Sequence, residues 1–545
     1  MPTIAGLLLV VSVSYLVLRY FAAGPLLAHF KAKANMALDI EGYNAQSDYS
    51  RLGYCPIHSE LSDADVVIEG DLPSDLTGVY LRNGTNSPFS RTESRRHMFN
   101  GAGMIHQVHI DHGRARYANR YTQTPRYLAE VAANGELYPE FGDIAGGGKP
   151  ALAKLVISLL EQRFGITPKI SSLENGAAST AIQFHHGQLY ALQETNYPFS
   201  LDVKTDNGRL RIDGTGHYES FGGILEQPFT AHPKIDPATG DWYSFSTHLE
   251  SGTIHYNVLS RGALTKHVEV MTAKPSLAFL HDCYLTQHHV VLPDLSLRFD
   301  PKALRGEHAS AFFFDADYKL RFGVIKRGHH EGDAVQWFET DAPGHIWHTI
   351  NGWEEQREDG GTDIVLFAPV FRSYPSNIPI HSSEEPHAPL CKFRLALDSG
   401  KVTEQRVILE DFYERPTINT EFLGKPSRYA YLLDEGRAKG IMGKGILKYD
   451  LLKEQEIEYF DYGDYRGGEA LFVPRPNSNA EDDGYLLDIL SREDQSYLVI
   501  IDATSMEERA RLHMPQRVPY GVHACWLGRE QLDALTGFTH AERAA

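Results

Sequence analysis

Four histidines of this sequence stand at similar places in β-like stretches. Each lies in a run of aromatic and β-branched residues, a composition typical of strands. The four are His232, His281, His348 and His523. The segment from Asp236 to Gly240 has proline in its second position and ends in glycine, so it predicts a tight turn that leaves the first histidine near a strand end. Four separated histidines on strands indicate one shared, buried metal ion.

The residue types limit which metal this is. The chain contains 26 histidines, so any one of them taken alone is weak evidence for a ligand. Imidazole nitrogens suit iron, copper, zinc and nickel, whereas a set without carboxylate or thiolate argues against magnesium, calcium and structural zinc. The pattern by itself predicts a transition metal and leaves its identity open.

The charge of the chain narrows the class of partner. Its 545 residues carry a formal net charge of −19, and no block of lysine and arginine offsets it, so a nucleic-acid partner is not expected. A small or apolar ligand fits this composition better. The cysteines are widely spaced and form no CxxC pair, which indicates reduced thiols in a protein that faces the cytosol. They are Cys55, Cys283, Cys391 and Cys525.

Short β segments, separated by glycine, proline, asparagine and aspartate turns, follow one another from residue 65 to the end. They do not alternate with helices, and they are too many for one sandwich. A β-propeller accommodates them, and its axis collects residues from the inner strands of several blades. One stretch, Pro150 to Phe164, has apolar residues at helical spacing and predicts a helix that packs on the domain or dips into a membrane surface.

The first thirty residues are far more apolar than the rest of the chain. Residues 1–30 contain a single arginine, Arg19, and two lysines follow at positions 31 and 33. This pattern predicts an uncleaved, single-pass membrane anchor with the main domain in the cytoplasm, for example at the endoplasmic reticulum. A cleaved signal, or a hydrophobic tail packed on a peripheral cytoplasmic protein, is the alternative. The chain is therefore divided into an anchor at 1–30, a linker at 31–60 and a β-propeller domain at 61–545.

Several longer motifs resemble one family of enzymes. PFTAHPKIDPATG, WHTINGWEE, GGEALFVPRPNSNAEDDGYLL and RVPYGVHACWL are similar, in the same order, to segments of the carotenoid cleavage oxygenases. Within that family the chain most resembles the plant and fungal carotenoid and apocarotenoid dioxygenases. The resemblance covers nearly everything after residue 60. It implies an all-β, seven-bladed β-propeller with helices and loops capping one axial non-haem Fe(II) per subunit. It also implies O₂ as co-substrate and the four histidines named above as the iron ligands.

The resemblance further places four polar residues around those ligands. Three glutamates match positions that accept a hydrogen bond from a ligand histidine, which fixes the ring tautomer. They are Glu194, Glu414 and Glu469, which would support His281, His348 and His523 in that order. Thr180 matches a threonine near the open coordination position. His232 would have no carboxylate partner.

Some positions depart from the family's pattern without removing a ligand. Asn100 and Ala102 stand where aspartates are usual. Cys283, beside a ligand, replaces an aromatic or aliphatic residue, and Arg415, beside a supporting glutamate, replaces a frequent phenylalanine. These last two are expected to affect pocket shape or substrate choice.

The resemblance implies an oxidoreductase that uses O₂ to cleave a C=C bond of a carotenoid or apocarotenoid into two carbonyl products. The substrate is expected to reach the metal from a membrane surface through an apolar tunnel lined by aromatic residues. A stilbene is an alternative substrate, because Tyr121 could contact a phenol, although Glu174 stands where stilbene-cleaving relatives have a lysine. A retinoid-type isomerase, which uses the same centre without O₂, is a further alternative that the presence of Thr180 disfavours.

Overall fold

Antiparallel β-sheets form most of the protein. The computed structural model describes residues 23–47, 49, 52–144, 147–206, 209–248, 251–270, 278–299, 312–374, 387–438 and 442–537. Within these residues the strands form seven sheets of four or five strands and one separate pair. The seven sheets are the blades of a β-propeller, which confirms the predicted fold. We number the blades 1 to 7 in chain order.

The strands of each blade succeed one another from the propeller axis outward. Blade 1 contains, in that direction, Ala524–Leu527, Gly78–Asn86, Ala102–Asp111, Arg114–Tyr121 and Ala64–Asp65. Blade 2 contains Ala181–His185, Gln188–Leu192, Phe199–Asp206 and Arg209–Tyr218, and blade 3 contains Lys234–Ile235, Trp242–His248, Thr253–Ser260 and Ala263–Val270. Blade 4 contains Tyr284–Leu285, His289–Asp294, Arg321–Lys326 and Gln336–Glu339, and the separate pair is Leu297–Phe299 with Phe312–Phe314. Blade 5 contains Asn351–Gln356, Thr362–Pro369, Leu390–Ala396 and Lys401–Leu409. Blade 6 contains Tyr413–Thr417, Tyr429–Asp434, Gly445–Asp450 and Gln455–Asp461, and blade 7 contains Leu471–Pro474, Gly484–Ser491, Ser496–Asp502, Glu507–His513 and Val67–Gly70.

Strands from the two ends of the propeller domain close the ring. Near its start, Val67–Gly70 pairs with Glu507–His513 and becomes the outermost strand of blade 7. Near its end, Ala524–Leu527 pairs with Gly78–Asn86 and becomes the innermost strand of blade 1. Because both exchanges join blade 1 to blade 7, the sheets form a closed circle with only short outer edges.

The blades pack face to face, so their middle strands are buried on both sides. Gly484–Ser491 is buried at every position, and its sequence GYLLDILS accordingly lacks the alternation of a half-buried strand. The core shared by blades 4 and 5 includes Phe322, Ile364 and Phe393, all buried. Burying a side chain of this size contributes about 2 kcal/mol of transfer free energy. The many large apolar residues of this sequence therefore hold the ring together between blades.

The described helices lie outside the blades. They are α1 (Gly24–Ala37), α2 (Ile40–Gln46), α3 (Pro125–Ala133), α4 (Phe141–Ile144), α5 (Gly148–Arg163) and α6 (Arg529–Gly537). Helix α5 confirms the helix predicted from residue 150 to residue 164. The side chain of Thr124 caps α3 by accepting a hydrogen bond from the N–H of Tyr127 over 3.2 Å. Helix α1 packs along α5, where Lys31 Nζ lies 3.4 Å from Glu161 Oε2.

The predicted membrane anchor and linker, unlike the predicted fold, are not confirmed. Residues 1–22, most of the predicted anchor, lie outside the described residues. Among the residues described, none of the helices combines the length and apolar character that a membrane crossing needs. The predicted boundary at residues 30 and 31 falls inside α1, and the predicted linker at 31–60 holds the end of α1, all of α2 and a 3-10 turn at Leu52–Tyr54. Part of the predicted linker is therefore helical, and α1 packs along α5.

Candidate metal centre

The four predicted histidines come from four different blades. His232, His281 and His348 lie two or three residues before the innermost strands of blades 3, 4 and 5, and His523 directly precedes that of blade 1. They lie in the loops just before these strands, not within them as the composition predicted. Successive side chains on a strand point to opposite faces. A residue in the loop that enters the strand is free of that alternation, so all four rings can point to the axis.

The tight turn predicted after His232 is present. The N–H of Gly240 donates to the carbonyl oxygen of Asp236 over 2.8 Å, and Gly240 has a φ of 73°, which favours glycine. The N–H of Ala238 donates to Asp236 Oδ1 over 2.8 Å. This turn pairs the first two strands of blade 3 and holds His232 beside the axis.

The ring nitrogens of the four histidines converge on one point. One ligand atom from each lies within 4.8 Å of the others, and Nε2 of His281 is 3.3 Å from Nε2 of His348. The Nε2 atoms of His232 and His523 are buried and have no hydrogen-bond partner among the described residues. Buried polar atoms normally have a partner. The cluster therefore fits a metal ion held by four nitrogens.

The three predicted glutamates each lie against a different histidine. Glu194 Oε1 is 2.8 Å from Nδ1 of His281, Glu414 Oε2 is 2.5 Å from Nδ1 of His348, and Glu469 Oε2 is 2.7 Å from Nδ1 of His523. These glutamates come from blades 2, 6 and 7, the blades that supply no histidine. Because each carboxylate occupies Nδ1, the Nε2 atom of the same ring is left to face the centre. No carboxylate of a described residue pairs with His232.

Burial sets the protonation states at this centre. It lowers the pKa of His232 and His348 well below the ordinary value, and the neighbouring histidines lower it further. For Glu194 and Glu469, burial raises the pKa, but contact with the paired histidine outweighs it and leaves the pKa below its ordinary value. Burial raises the pKa of Glu414 to about 7. Neutral imidazoles are the form that binds a metal.

Thr180 occupies in blade 2 the position that a histidine occupies in blade 1. It immediately precedes the innermost strand, Ala181–His185, and its N–H donates to the carbonyl oxygen of Leu192 over 3.0 Å. Its hydroxyl donates to Oε2 of Glu194 over 3.4 Å and is buried. Thr180 is therefore connected to the ligand set through the carboxylate that contacts His281.

Sequence reasoning missed Asp282, which ties three ligand loops together. Its carboxylate accepts hydrogen bonds from both the N–H and the hydroxyl of Thr349 over 2.8 Å. Its other oxygen lies 2.8 Å from Nζ of Lys234. Thr349 follows His348, and Lys234 lies two residues after His232. The dipeptide His281-Asp282 is the signal that could have revealed this brace, because buried carboxylates are retained only with partners.

An aromatic wall of five side chains borders the metal centre. The ring centroids of His281 and Trp347 are 5.1 Å apart, and Trp347 contacts two further members of the wall at 5.4 and 5.9 Å. The five residues are Phe279, Trp347, Phe371, Tyr374 and Phe412. The sequence predicted aromatic lining without identifying its members, since residues from blades 4, 5 and 6 meet at this point only in the fold.

The remaining candidate residues are engaged elsewhere. The hydroxyl of Tyr121 donates to the carbonyl oxygen of Ile57 over 3.1 Å. Its proton is therefore already engaged and is not free to bind the oxygen of a phenol. Asn100 bonds the carbonyl oxygen of Arg95 and the N–H of Gly142, at 2.7 and 3.0 Å, and so joins two loops. Cys283 packs in the apolar core between blades 3 and 4. All four cysteines are described, and no disulfide joins them.

Comparisons with known proteins agree on one family. Residues 54–528 match the family model described as "Retinal pigment epithelial membrane protein". The carotenoid 9,10(9',10')-cleavage dioxygenase 1 of Arabidopsis thaliana is 32% identical over 506 residues, covering 89% of this chain and 90% of that protein. The chloroplastic 9-cis-epoxycarotenoid dioxygenase NCED6 of the same plant is 30% identical and covers 89% and 81%.

Solved structures share the propeller. The lignostilbene dioxygenase of Pseudomonas brassicacearum superimposes with a TM-score of 0.73 at 24% identity, and a variant of the apocarotenoid oxygenase of Synechocystis superimposes with a TM-score of 0.70 at 24% identity. Each match covers 87% of this chain and 97% of the other. At 24% identity, the similarity shows a shared fold and nothing further.

Proposed function

The chain belongs to the carotenoid cleavage oxygenase family, and we propose that it is a non-haem Fe(II) dioxygenase that cleaves one C=C bond of a carotenoid or apocarotenoid. The alkene and one O₂ are consumed, the double bond breaks, and each carbon receives one oxygen atom, so that two carbonyl compounds form. The observation that carries this proposal is the set of four converging imidazoles, two buried and two half-buried, with three carboxylates behind them.

The chain's own residues hold and orient the metal. His232, His281, His348 and His523 would be the ligands. Glu194, Glu414 and Glu469 fix three of the rings, and Thr180 supports the first of these carboxylates. When bound, Fe(II) supplies the one-electron chemistry that makes O₂ reactive toward an alkene. The four imidazole nitrogens would hold the ion without a charged ligand, a donor set that suits iron.

The aromatic wall supports an apolar, unsaturated substrate. Rings beside the centre, with Trp347 nearest to His281, can stack on a conjugated chain and fix which double bond lies at the metal. The alternative of a stilbene substrate keeps the same chemistry, and the engaged hydroxyl of Tyr121 argues against the phenol contact first expected for it. A retinoid-type isomerisation without O₂ is the remaining alternative.

We further propose that the enzyme draws its substrate from a membrane surface through helices α1 and α5. The two helices pack on each other, and each leaves large apolar side chains exposed. On α1 these are Leu26 and Phe30, which are 55% and 47% exposed, and on α5 they are Val156 and Leu159, which are 47% and 65% exposed. Adjacent exposed apolar residues of this kind typically mark an interaction surface.

Product analysis tests the proposed reaction. Iron-loaded protein is incubated with carotenoids, apocarotenals and hydroxystilbenes under ¹⁸O₂, with an anaerobic control. We expect paired carbonyl fragments that each carry one ¹⁸O atom and that are absent without oxygen. The masses of the fragments identify the bond and distinguish a polyene from a stilbene. Isomers of unchanged mass that form equally without oxygen would instead establish isomerisation.

A further inference from the structure

Two adjacent polar residues of blade 1, Arg82 and Asn83, lie against the loop that carries His523. Arg82 pairs with Ala524, the residue after this histidine. The N–H of Asn83 donates to the carbonyl oxygen of His523, and the N–H of Val522 donates to the carbonyl oxygen of Asn83, both over 3.1 Å. The backbone of this ligand loop is therefore fixed to the Arg82-Asn83 dipeptide.

The side chain of Arg82 points to blade 7. Its Nη1 atom donates to the carbonyl oxygen of Ile489 over 3.0 Å and lies 3.7 Å from Oδ1 of Asp488. Its Nη2 atom donates over 3.1 Å to the carbonyl oxygen of Gly521, which lies just before His523 in the ligand loop. Arg82 and Asp488 are both buried. The guanidinium thus joins the loop of His523 to the second strand of blade 7.

Glycines bring the loops of His523 and Glu469 close to this guanidinium. A Cβ atom added at Gly468, the residue before Glu469, would lie 3.1 Å from Nη2 of Arg82. A Cβ atom added at Gly521 would lie 2.7 Å from Nε of Arg82. Both distances are shorter than ordinary van der Waals contact, so the missing side chains allow the close approach. Arg82 therefore lies against the loops of both members of the His523–Glu469 contact.

The side chain of Asn83 points the other way, to blade 2, because successive side chains on a strand alternate between its faces. Its Nδ2 atom donates to the carbonyl oxygens of Ala178 and Ala181, both over 2.9 Å. Its Oδ1 atom accepts a bond from the next N–H of its own strand over 3.0 Å, which fixes the orientation of the amide. Thr180 lies between the two alanines in the chain. The buried amide therefore fixes the loop of Thr180 to the strand that holds His523.

Stability alone does not account for an arginine at this place. Replacing a buried ion pair by well-packed apolar residues is often neutral or stabilising. A guanidinium differs from such residues in its planar fork of donors, which sets the relative positions of the groups that it binds. Arg82 uses that fork on carbonyl oxygens from two blades, those of Gly521 and Ile489. Groups that orient ligands from behind are part of a metal site, since they decide where the ligand atoms lie.

We propose that Arg82 and Asn83 are positioning residues that set the place of His523 relative to Glu469 on one side and to Thr180 on the other. Both act through these three residues and not by direct contact with the ion. The inference rests on the proposed function, since it requires that the four histidines hold a metal ion. It extends the set of residues that orient the ligands beyond the three carboxylates.

Titration of the metal-free full chain with Co²⁺ tests this role, because the visible absorption of bound Co²⁺ depends on the geometry of its ligands. Arg82→Lys keeps a positive charge opposite Asp488 but lacks the fork that binds both carbonyl oxygens at once. Asn83→Ala removes the amide that holds the loop of Thr180. For each variant we expect the affinity for Co²⁺ to fall about 10-fold and the absorption bands to shift.

Matched controls change the same residue types elsewhere in the propeller. Arg321→Lys alters an arginine that pairs with Asp294 in blade 4, and Asn257→Ala removes a buried amide that donates to Oγ of Ser246 over 2.8 Å in blade 3. Both should lower the free energy of unfolding but keep the parent's Co²⁺ affinity and absorption. Equal losses of affinity in controls and test variants would reduce the role to a structural one.

Metal binding without turnover separates this inference from the proposed function. Each folded variant decides by itself, and parent-like Co²⁺ affinity and absorption in Arg82→Lys or Asn83→Ala would overturn the role of that residue. Turnover is measured separately with the iron-loaded parent. If the parent cleaves nothing but the Co²⁺ differences appear, the proposed reaction fails and the positioning role stands. A parent protein that binds no Co²⁺ would overturn both.

Discussion

Nδ1 of His523 lies 2.7 Å from Oε2 of Glu469, although the two residues are separated by 54 positions and belong to blades 1 and 7. The contact spans the seam where the ends of the propeller domain meet. The closure of the ring and the assembly of the histidine cluster are therefore coupled. A change that opens the seam would also separate His523 from its carboxylate.

The histidine cluster predicts which substitutions remove the metal. We expect His281→Ala to lose most of its iron and to lower turnover by more than about 100-fold, because one of four ligands is gone. His289→Ala is the matched control, since His289 also contacts a glutamate, Glu354, at 3.0 Å but lies outside the cluster. Metal analysis and turnover of the purified variants provide the measurement. Full iron content in His281→Ala would show that the ligand assignment is wrong.

Replacing a glutamate that contacts a ligand histidine should have a smaller effect than replacing the histidine itself. Glu469→Gln keeps the shape but weakens the hydrogen bond that orients His523, so we expect iron affinity to fall about 10- to 100-fold. Glu354→Gln is the control, because Glu354 contacts His289 outside the cluster, and it should leave iron affinity unchanged. Competition with a chelator measures both variants. Equal losses in the two would point to a general effect on stability.

The Asp282 brace predicts a loss of stability. Asp282→Asn leaves the half-buried ammonium of Lys234 without its ionic partner, so we expect the free energy of unfolding to fall by about 3 kcal/mol. Asp213 also pairs with a lysine, Lys204 at 2.9 Å, but at the surface. Asp213→Asn should cost less than about 1 kcal/mol. Denaturant unfolding, followed with and without iron, measures both. A smaller loss for Asp282→Asn than for the control would contradict the role of the brace.

Two histidines of the propeller predict how stability depends on pH. Burial lowers the pKa of His106, and likewise that of His97, to about 3. In the unfolded chain these groups titrate near 6.5, so between pH 6.5 and 3 the unfolded state binds more protons. The contribution of these two histidines to the free energy of unfolding is therefore fully present above pH 6.5. It falls as the pH decreases, by about 1.4 kcal/mol per pH unit for each group.

His106→Gln tests this pH dependence. The variant should reduce the slope of unfolding free energy against pH by about one proton. His112, whose side chain is 88% exposed, provides the control, and His112→Gln should keep the parent slope. Unfolding in denaturant at several pH values between 4 and 7 gives both slopes. A parent-like slope for His106→Gln would mean that this histidine is not buried in the neutral form.

The exposed surface of α1 and α5 predicts membrane binding. Leu159→Glu should weaken binding to phosphatidylcholine vesicles, measured by co-sedimentation, by about 10-fold. A leucine that enters the lipid contributes about 1.5 kcal/mol or more to the free energy of binding. Uncharged lipid is used because the chain carries a net charge of −19. Leu452 is 56% exposed in a turn of blade 6, and Leu452→Glu should leave binding unchanged. If both variants bind like the parent, the helices are not the docking surface.

Much of this protein could be predicted from its sequence because the relevant signals are local. The turn at Asp236 to Gly240, the helix from residue 150 and the strand-forming stretches depend on neighbouring residues, whose preferences the sequence states directly. The histidines stood out for the same reason, since each lies in a stretch with one recognisable composition. The glutamates entered only through a resemblance, because a single glutamate in a strand-like segment carries no sign of its partner.

Only the tertiary structure determined which of these residues meet. Closure of the ring brings the loops of blades 1, 3, 4 and 5 to one axis and sets the carboxylates of blades 2, 6 and 7 behind them. The brace at Asp282 and the aromatic wall each join residues from separate stretches of the chain. Arg415 likewise donates to Glu435, and its φ of 40° is a conformation that no local preference dictates. The sequence alone determined the chemistry available to this protein. The packing of blades determined where that chemistry is assembled, because contacts between distant residues depend on how the sheets are arranged around the axis.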